Sequence, residues 1–403
     1  MTTLADPRRW WIIAFLFLAT VLNYIDRQTL SVLASTISRE LSISNVAYAN
    51  ILTAFLVPYT VMYVVSGWLV DRWGSRIALA VFIAWWSAAN ALHALATGAW
   101  SLGIYRFLLG TAESGNFMAA GKAISEWFPP HERALANGLV NAAASTGAIL
   151  APPLIAGATA VFGWRGAFVA TGLCGFIWLA GWFMVYNRPP NVTLEAKVRE
   201  NVPYSQLLRM PQSWGLLFAR VFGDPVWWFY LFWLPKYLQD VRHFSLAQIA
   251  LFAWLPYLSA DLGSIAGGWF SGFLIRRGMP SLAARRWTMV PCTALVPLGI
   301  LVAYLPAMPA MAVICLVTFC HMGWKTNLMT MTNDVYPARI VGSAAGLVGL
   351  GSGLGGALST PVVGRVVDAF GYDSVFWMMG LMHPFATAIV FLTVRKTLRQ
   401  EGE

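Results

Sequence analysis

Apolar runs of about 20 residues recur from one end of the chain to the other, each long enough to cross a hydrocarbon core of about 30 Å as a helix. Twelve such runs stand in 403 residues. The first six are Trp10 to Ser35, Tyr48 to Val70, Ile77 to Thr97, Trp100 to Gly121, Ala134 to Ala158 and Trp164 to Asn187. The second six are Trp214 to Leu238, Leu246 to Leu274, Trp287 to Tyr304, Met308 to Met331, Ile340 to Val363 and Tyr372 to Val394. Only 11% of the residues are charged and 58% are hydrophobic, whereas a soluble domain is about one quarter charged. The expected fold class is an all-α membrane protein with twelve transmembrane helices.

The net charge of +10 is an orientation signal and not a nucleic-acid footprint. With both termini placed in the cytoplasm, the inner segments hold seventeen Lys and Arg, including Arg8, Arg9, Arg72, Arg76, Arg133, Arg276 and Arg277. The outer segments hold five: Arg39, Arg165, Lys236, Arg242 and Arg365. That asymmetry sets topology. The first apolar run is too long for a cleavable signal and lacks a small-residue cleavage site after it, so it reads as the first span. The four cysteines lie in apolar runs without metal-ligand spacing and read as small buried hydrophobes. His93, His131, His243 and His383 are isolated in sequence and are assigned loop or core roles.

An internal repeat organises the chain. An offset of 208 pairs Pro129 with Pro337, Gly138 to Val140 with Gly346 to Val348, Gly147 with Gly355, Pro153 with Pro361, and Phe162-Gly163 with Phe370-Gly371. Coincidences at glycine and proline carry backbone constraints and are hard to blame on composition. Two pseudo-symmetric six-helix bundles follow, 1–187 and 213–403. The polar, proline-bearing stretch 188–212 is a cytoplasmic linker. Parallel six-span repeats with a site near midplane where the halves meet describe one transporter architecture.

Ionisable residues inside such runs are costly and mark substrate or proton paths. They are Asp26 and Arg27, Arg106 and Glu113, and Lys325 with His321. A carboxylate entering a low-dielectric cavity needs a cation, and arginine offers a planar fork that pairs with it in two parallel bonds. Arg27 is the first choice and Arg106 the second, although Arg27 can instead pair with Asp26. Glu113 lies two helical turns beyond Arg106, about 10 Å along one face, which leaves room for substrate or water between them. A structural bond from Glu113 to a neighbouring helix is the alternative. His321 and Lys325 are four apart on one helix face, and the offset sets His321 opposite Glu113. Lys325 then holds a second substrate charge, balances an acid or snorkels toward water. Trp324, Asn327 and Asn333 are further sugar-facing candidates, and Asn141 is a hydroxyl-bonding one. Arg220 and Asp224, also four apart, read as an ion pair within one helix. Asp261 is ambiguous in the same way.

The stretch Gly67-Trp68-Leu69-Val70-Asp71-Arg72-Trp73-Gly74-Ser75-Arg76 resembles the G-x3-D-R-x-G-x-R signature of the major facilitator superfamily. Gly67 would allow close helix approach, Asp71 would meet a neighbouring helix N-terminus or arginine, and Gly74 would permit the turn. Together with Arg72 and Arg76 this forms an expected inner gate. The second-half copy is degraded, with Arg276 where the acid should be. The glycines of the eleventh span, Gly342 to Gly356, are expected to let helices slide. Within the superfamily the chain looks most like the anion:cation symporters and, inside them, the hexuronate and aldonate permeases. That likeness rests on Asn23-Tyr24-Ile25-Asp26-Arg27, Arg106-Phe107 through Glu113, Glu126-Trp127-Phe128-Pro129, Gly147 to Pro153, and Phe252-Ala253-Trp254-Leu255-Pro256. The resemblance implies Arg27, Tyr24 and Tyr59 as substrate contacts and Asp26 and Glu113 as protonation positions. Burial raises a carboxyl's proton affinity and a nearby cation lowers it, so helix movement past an arginine can load or release a proton.

The leading expectation is proton-coupled uptake of a sugar-acid anion by a monomer in the bacterial inner membrane, with lipid around it. No cofactor or metal is expected, because the proton gradient supplies the drive. A drug/proton antiporter is the alternative, from a faint exporter-like pattern in Gly147 to Gly157. The residues Arg27, Arg106 and Lys325 disfavour it, since a cationic drug would be repelled. A transporter-like sensor would need a cytoplasmic signalling domain, and an enzyme would need a catalytic constellation that does not appear.

Overall fold

A computed structural model of the chain describes residues 7–128, 132–186, 204–336 and 341–395, which are helical apart from short connections, with no strand among them. Pro129, His131, Pro337 and the 188–203 part of the linker lie outside the described residues.

Helix α1 (Arg8–Val32) is followed by the short α2 (Ala34–Glu40) and by α3 (Asn45–Leu92). The 48 residues of α3 would extend about 70 Å at 1.5 Å per residue, twice the depth of a hydrocarbon core. Gly74 resolves this, because at φ 75 it adopts a left-handed backbone that residues with a Cβ rarely take. Then come α4 (Ala99–Glu113), α5 (Gly115–Trp127) and α6 (Arg133–Val185), with Gly163 at φ 68 dividing α6. After the single turn α7 (Tyr204–Leu207) follow α8 (Pro211–Gly223), α9 (Pro225–Asp240), α10 (Leu246–Phe252) and α11 (Leu255–Arg276). Last are α12 (Ser281–Leu295), which tightens into 3-10 turns over Val296–Ala303, α13 (Ala307–Val335) and α14 (Val341–Thr393), divided at Gly371 (φ 77). Counting α3, α6 and α14 as two spans each, and joining α4 to α5, α8 to α9 and α10 to α11, the described residues make twelve crossings. The dividing glycines of α6 and α14 stand 208 residues apart with the same left-handed geometry, so the repeat extends to backbone conformation.

Three spans expected to be continuous are interrupted in their interior, and a fourth, Trp10 to Ser35, breaks near its end at Leu33. Trp100 to Gly121 breaks at Ser114, Trp214 to Leu238 at Asp224, and Leu246 to Leu274 at Ala253 and Trp254. Pro225 follows the second break and Pro256 the third, and proline removes a backbone donor and clashes with the preceding turn. At the first break, a Cβ on Gly115 would stand 2.3 Å from the Phe82 ring, so the chain is pressed against α3 where its hydrogen bonding lapses.

The chain gathers into two compact units, Met1–Glu195 with Phe232–Trp254, and Ala196–Leu231 with Leu255–Glu403. In the first, α1 lies close against α6 because Gly147 leaves room: a Cβ there would come within 2.7 Å of the Val21 carbonyl. The turn at Gly163 is tied down by Trp164, whose Nε1 donates to Glu40 Oε2 at 2.6 Å, and by Arg165, which pairs with Glu40. Those bonds, Arg165 first, hold the Glu40 carboxyl below the usual range. In the second unit, Leu216, Met289, Trp324, Leu328, Val348 and Val390 form the buried core. Gly351 and Gly355 would each place a Cβ within 2.6 Å of a carbonyl of α8, so these glycines of α14 are close-packing positions in this state.

The superfamily-like loop shows a different arrangement from the expected one. Gly74 makes the turn, but a Cβ on Gly67 would meet nothing within 4 Å, so close helix approach is not what this glycine provides here. Asp71 accepts from Lys122 Nζ of α5 at 2.9 Å, a lysine in place of the anticipated arginine or helix terminus. Arg72 lies over the Trp68 ring, and Arg76 donates to the Phe183 carbonyl at 3.4 Å. Cys174 is exposed and only Cys320 of the four cysteines is buried, which corrects the reading of all four as buried hydrophobes.

Candidate substrate and proton site

One stripe of α1 faces the α4–α5 break. Thr20, Asn23 and Arg27 recur at three and four residues, the spacing of one helix face. Thr20 Oγ1 accepts from Asn116 Nδ2 at 2.9 Å, and Asn23 Nδ2 reaches the Glu113 carbonyl at 3.5 Å. Arg27 Nε donates to Glu113 Oε2 at 2.8 Å, with side chains only 2% and 0% exposed. Arg27 therefore pairs with Glu113 and not with its neighbour Asp26. Its Nη2 donates to Asn23 Oδ1 at 3.3 Å. Aromatic rings complete the enclosure: Tyr24 at 4.8 Å, Tyr59 at 4.7 Å and Phe55 at 5.4 Å from the guanidinium carbon. Ring faces carry negative potential and stabilise a desolvated cation. Tyr59 and Tyr63 share a hydroxyl contact at 3.4 Å.

Arg106 reaches the same place from α4. Its Nη1 donates to the Arg27 carbonyl at 3.1 Å, while Nε and Nη2 are buried without an acceptor among the described residues. The side chain is 1% exposed and lies 5.9 Å from the Phe55 ring. A buried guanidinium with two uncommitted donors carries a large desolvation cost, which an anion would offset. The second oxygen of Glu113, Oε1, is likewise buried and unpartnered. The shared site anticipated for Arg106 and Glu113 is thus assembled through Arg27, which both touch.

Asp26 points the other way, into the interior of the same unit. Its Oδ1 accepts from Asn90 Nδ2 of α3 at 2.8 Å, and Asn90 also bonds Thr171 Oγ1 of α6 at 2.7 Å. Consecutive helical residues diverge by about 100°, the consequence of 3.6 residues per turn, so Asp26 and Arg27 serve different faces.

The second unit holds another polar cluster. Arg220 and Asp224 form the expected pair, Nη2 to Oδ2 at 2.6 Å, with Arg220 also against Met329 Sδ. His321 and Lys325 share a face and both address Trp227: His321 stacks on it at 6.0 Å and 7°, and Lys325 Nζ lies 5.8 Å from its ring. His383, taken as isolated in sequence, is hydrogen-bonded to His321, with His321 Nδ1 and His383 Nε2 3.1 Å apart. Its partner is 62 residues away on another helix, so no local pattern signals it. His93 is a core residue as expected, stacked on Phe168 at 4.9 Å.

Other candidates stand apart from these clusters. Asn327 gives its amide hydrogens to the Gly267 and Gly323 carbonyls at 3.1 and 2.9 Å, a tether between α11 and α13. Asn141 is exposed on α6. Trp324 is core, with Nε1 donating to Thr387 Oγ1 at 2.7 Å. Sequence reasoning missed Asn23, Phe55, Asn90 and Trp227 as members of the clusters. Phe55 had no signal beyond lying one turn before Tyr59. No group of three or more metal-ligating side chains gathers among the described residues.

A family model described as Major Facilitator Superfamily matches residues 16–360. The chain is 32% identical to a hexuronate transporter of Escherichia coli (strain K12), over 96% of this chain and 94% of that one. It is also 32% identical to a galacturonate transporter of Dickeya chrysanthemi, over 76% of this chain and 94% of the relative. Among solved structures, a bacterial homologue of the lysosomal transporter Spinster, in an inward-facing and occupied conformation, aligns with a TM-score of 0.81 over 99% of this chain and all of that one, at 18% identity. That likeness concerns the fold. The chain is therefore an integral membrane transporter of small molecules and not an enzyme, and it belongs to the Major Facilitator Superfamily.

Proposed function

We propose that the protein takes up a sugar-acid monoanion, a hexuronate or aldonate, together with protons, by alternating access across the bacterial inner membrane as a monomer with cytoplasmic termini. The observation that carries this reading is the buried Arg27–Glu113 pair in its aromatic enclosure, with the unsatisfied donors of Arg106 beside it. A substrate carboxylate and the Glu113 carboxylate compete for one guanidinium. A proton on Glu113 removes the competitor, and Arg27 then presents its fork to the substrate. The proton and the anion enter together without changing the net buried charge, which is the cheapest way to bring an anion into a low-dielectric site. Arg106 takes the second carboxylate oxygen or a hydroxyl, and Tyr24 and Tyr59 lie against the sugar. Asp26, bonded to Asn90, is the second protonation position. The hexuronate and galacturonate named for the two relatives are carboxylates, in agreement with a carboxylate cargo. Two arginines at the site disfavour export of cationic drugs.

The test is uptake into proteoliposomes of labelled galacturonate, glucuronate and galactonate, with neutral galactose as control and with the interior alkaline or at equal pH. At least one acid is expected to accumulate only under the gradient, and galactose is not. Accumulation of galactose, or equal accumulation without a gradient, would contradict the reading.

A further inference from the structure

The mechanism above leaves two buried imidazoles unused. His321 of α13 and His383 of α14 are 1% and 0% exposed and are hydrogen-bonded to each other. A neutral pair shares one hydrogen across that contact, which leaves one ring with a bare lone pair at its far nitrogen and the other with a bare N–H. The far atoms, His321 Nε2 and His383 Nδ1, are both buried without a hydrogen-bond partner among the described residues.

We propose that the His321–His383 pair is a further proton-binding site, beyond Glu113 and Asp26, which loads one proton in each transport cycle. The proton adds to the bare lone pair, no bond other than N–H forms or breaks, and the shared hydrogen lets the charge sit on either ring. The repeat supports the assignment. His321 is the offset counterpart of Glu113, and the close approaches of Gly147 to Val21 and of Gly355 to Val221 set α8–α9 against α1 at an offset of 200. Trp227 then corresponds to Arg27, so the Trp227–His321 stack replaces the Arg27–Glu113 pair. An imidazolium against an indole face is favourable.

The facing charged and titratable groups are Asp224 and Arg220 beside the α8–α9 break, Lys325 of α13 and, across Trp227, Tyr257 of α11. Asp224 favours a proton on the pair, while Arg220 and Lys325 oppose it. An anion at Lys325 removes one opponent, so anion and proton each make the other's binding more favourable.

This inference rests on the proton-driven reading of the previous subsection. The proton-to-substrate ratio is to be measured from reversal potentials in proteoliposomes for wild type, Glu113→Gln, His321→Gln and His383→Gln, with equilibrium exchange as the control for folding. In the histidine variants, exchange is expected to persist while the ratio falls by one proton. An unchanged ratio with intact exchange overturns the proposal. A wild type with no proton coupling overturns the proton-driven reading itself. If both histidine variants lose exchange, imidazole nitrogen NMR of the wild type decides: one proton taken up jointly by two bonded rings supports the site, and rings that stay neutral at every transporting pH overturn it.

Discussion

Arg27→Ala is expected to lower uptake efficiency for the transported acid by roughly 30- to 4,000-fold, because truncating one partner of a buried, hydrogen-bonded charge pair costs roughly 2–5 kcal/mol at about 1.4 kcal/mol per decade. The protein should still fold. Glu113, deprived of its cation, can take a proton, since neutralisation is the usual relief for a buried carboxyl. Arg27→Lys should recover part of the loss by restoring charge but not the planar fork. Initial rates of labelled uptake, normalised to the amount of folded protein by size-exclusion chromatography, provide the measurement. Uptake within about fivefold of wild type for Arg27→Ala, taking roughly 1 kcal/mol as the ceiling for a weakly coupled exposed pair at about 1.4 kcal/mol per decade, would remove Arg27 from the binding site.

Glu113→Gln is expected to separate exchange from accumulation. Glutamine copies the shape of the protonated acid, so Arg27 is released permanently and substrate binds without needing a proton. Exchange should continue at a rate near wild type, while accumulation under a pH gradient should fall by the share that the Glu113 proton drives. The wild-type apparent KM should drop as pH falls, by up to about tenfold per unit for one linked proton, because protonation frees Arg27. In Glu113→Gln that contribution should vanish. Counterflow and gradient-driven uptake in the same vesicles distinguish the outcomes. A variant that still concentrates substrate as well as wild type would take Glu113 out of the coupling step.

Much of the architecture was legible in the chain because lipid enforces it. Span count follows from apolar run length, and the left-handed turns at Gly163 and Gly371 follow from a repeat visible as residue identity. The interruptions at Ser114, Asp224 and Ala253 were not read, although Pro225 and Pro256 mark two of them. Within the site, single ionisable residues were legible, since each violates the apolar pattern. Their pairing was not. Asp26 and Arg27 are neighbours in sequence and suggest each other, yet helical geometry sends one to Asn90 and the other to Glu113. His383 shows the same limit more sharply, because a histidine is informative only once its distant partner is known. Phe55 and Trp227 look like ordinary apolar filling until a guanidinium or an imidazole is found against their rings.

Calorimetry of substrate binding to the purified protein, in two buffers of different ionisation enthalpy, counts the protons taken up with each anion. At a pH where Glu113 is ionised in the free protein, wild type is predicted to take up one more proton per galacturonate, or per whichever acid it transports, than Glu113→Gln does. The same proton count in both proteins would mean that Arg27 is not handed from Glu113 to the substrate, and the competition at the centre of this mechanism would be wrong.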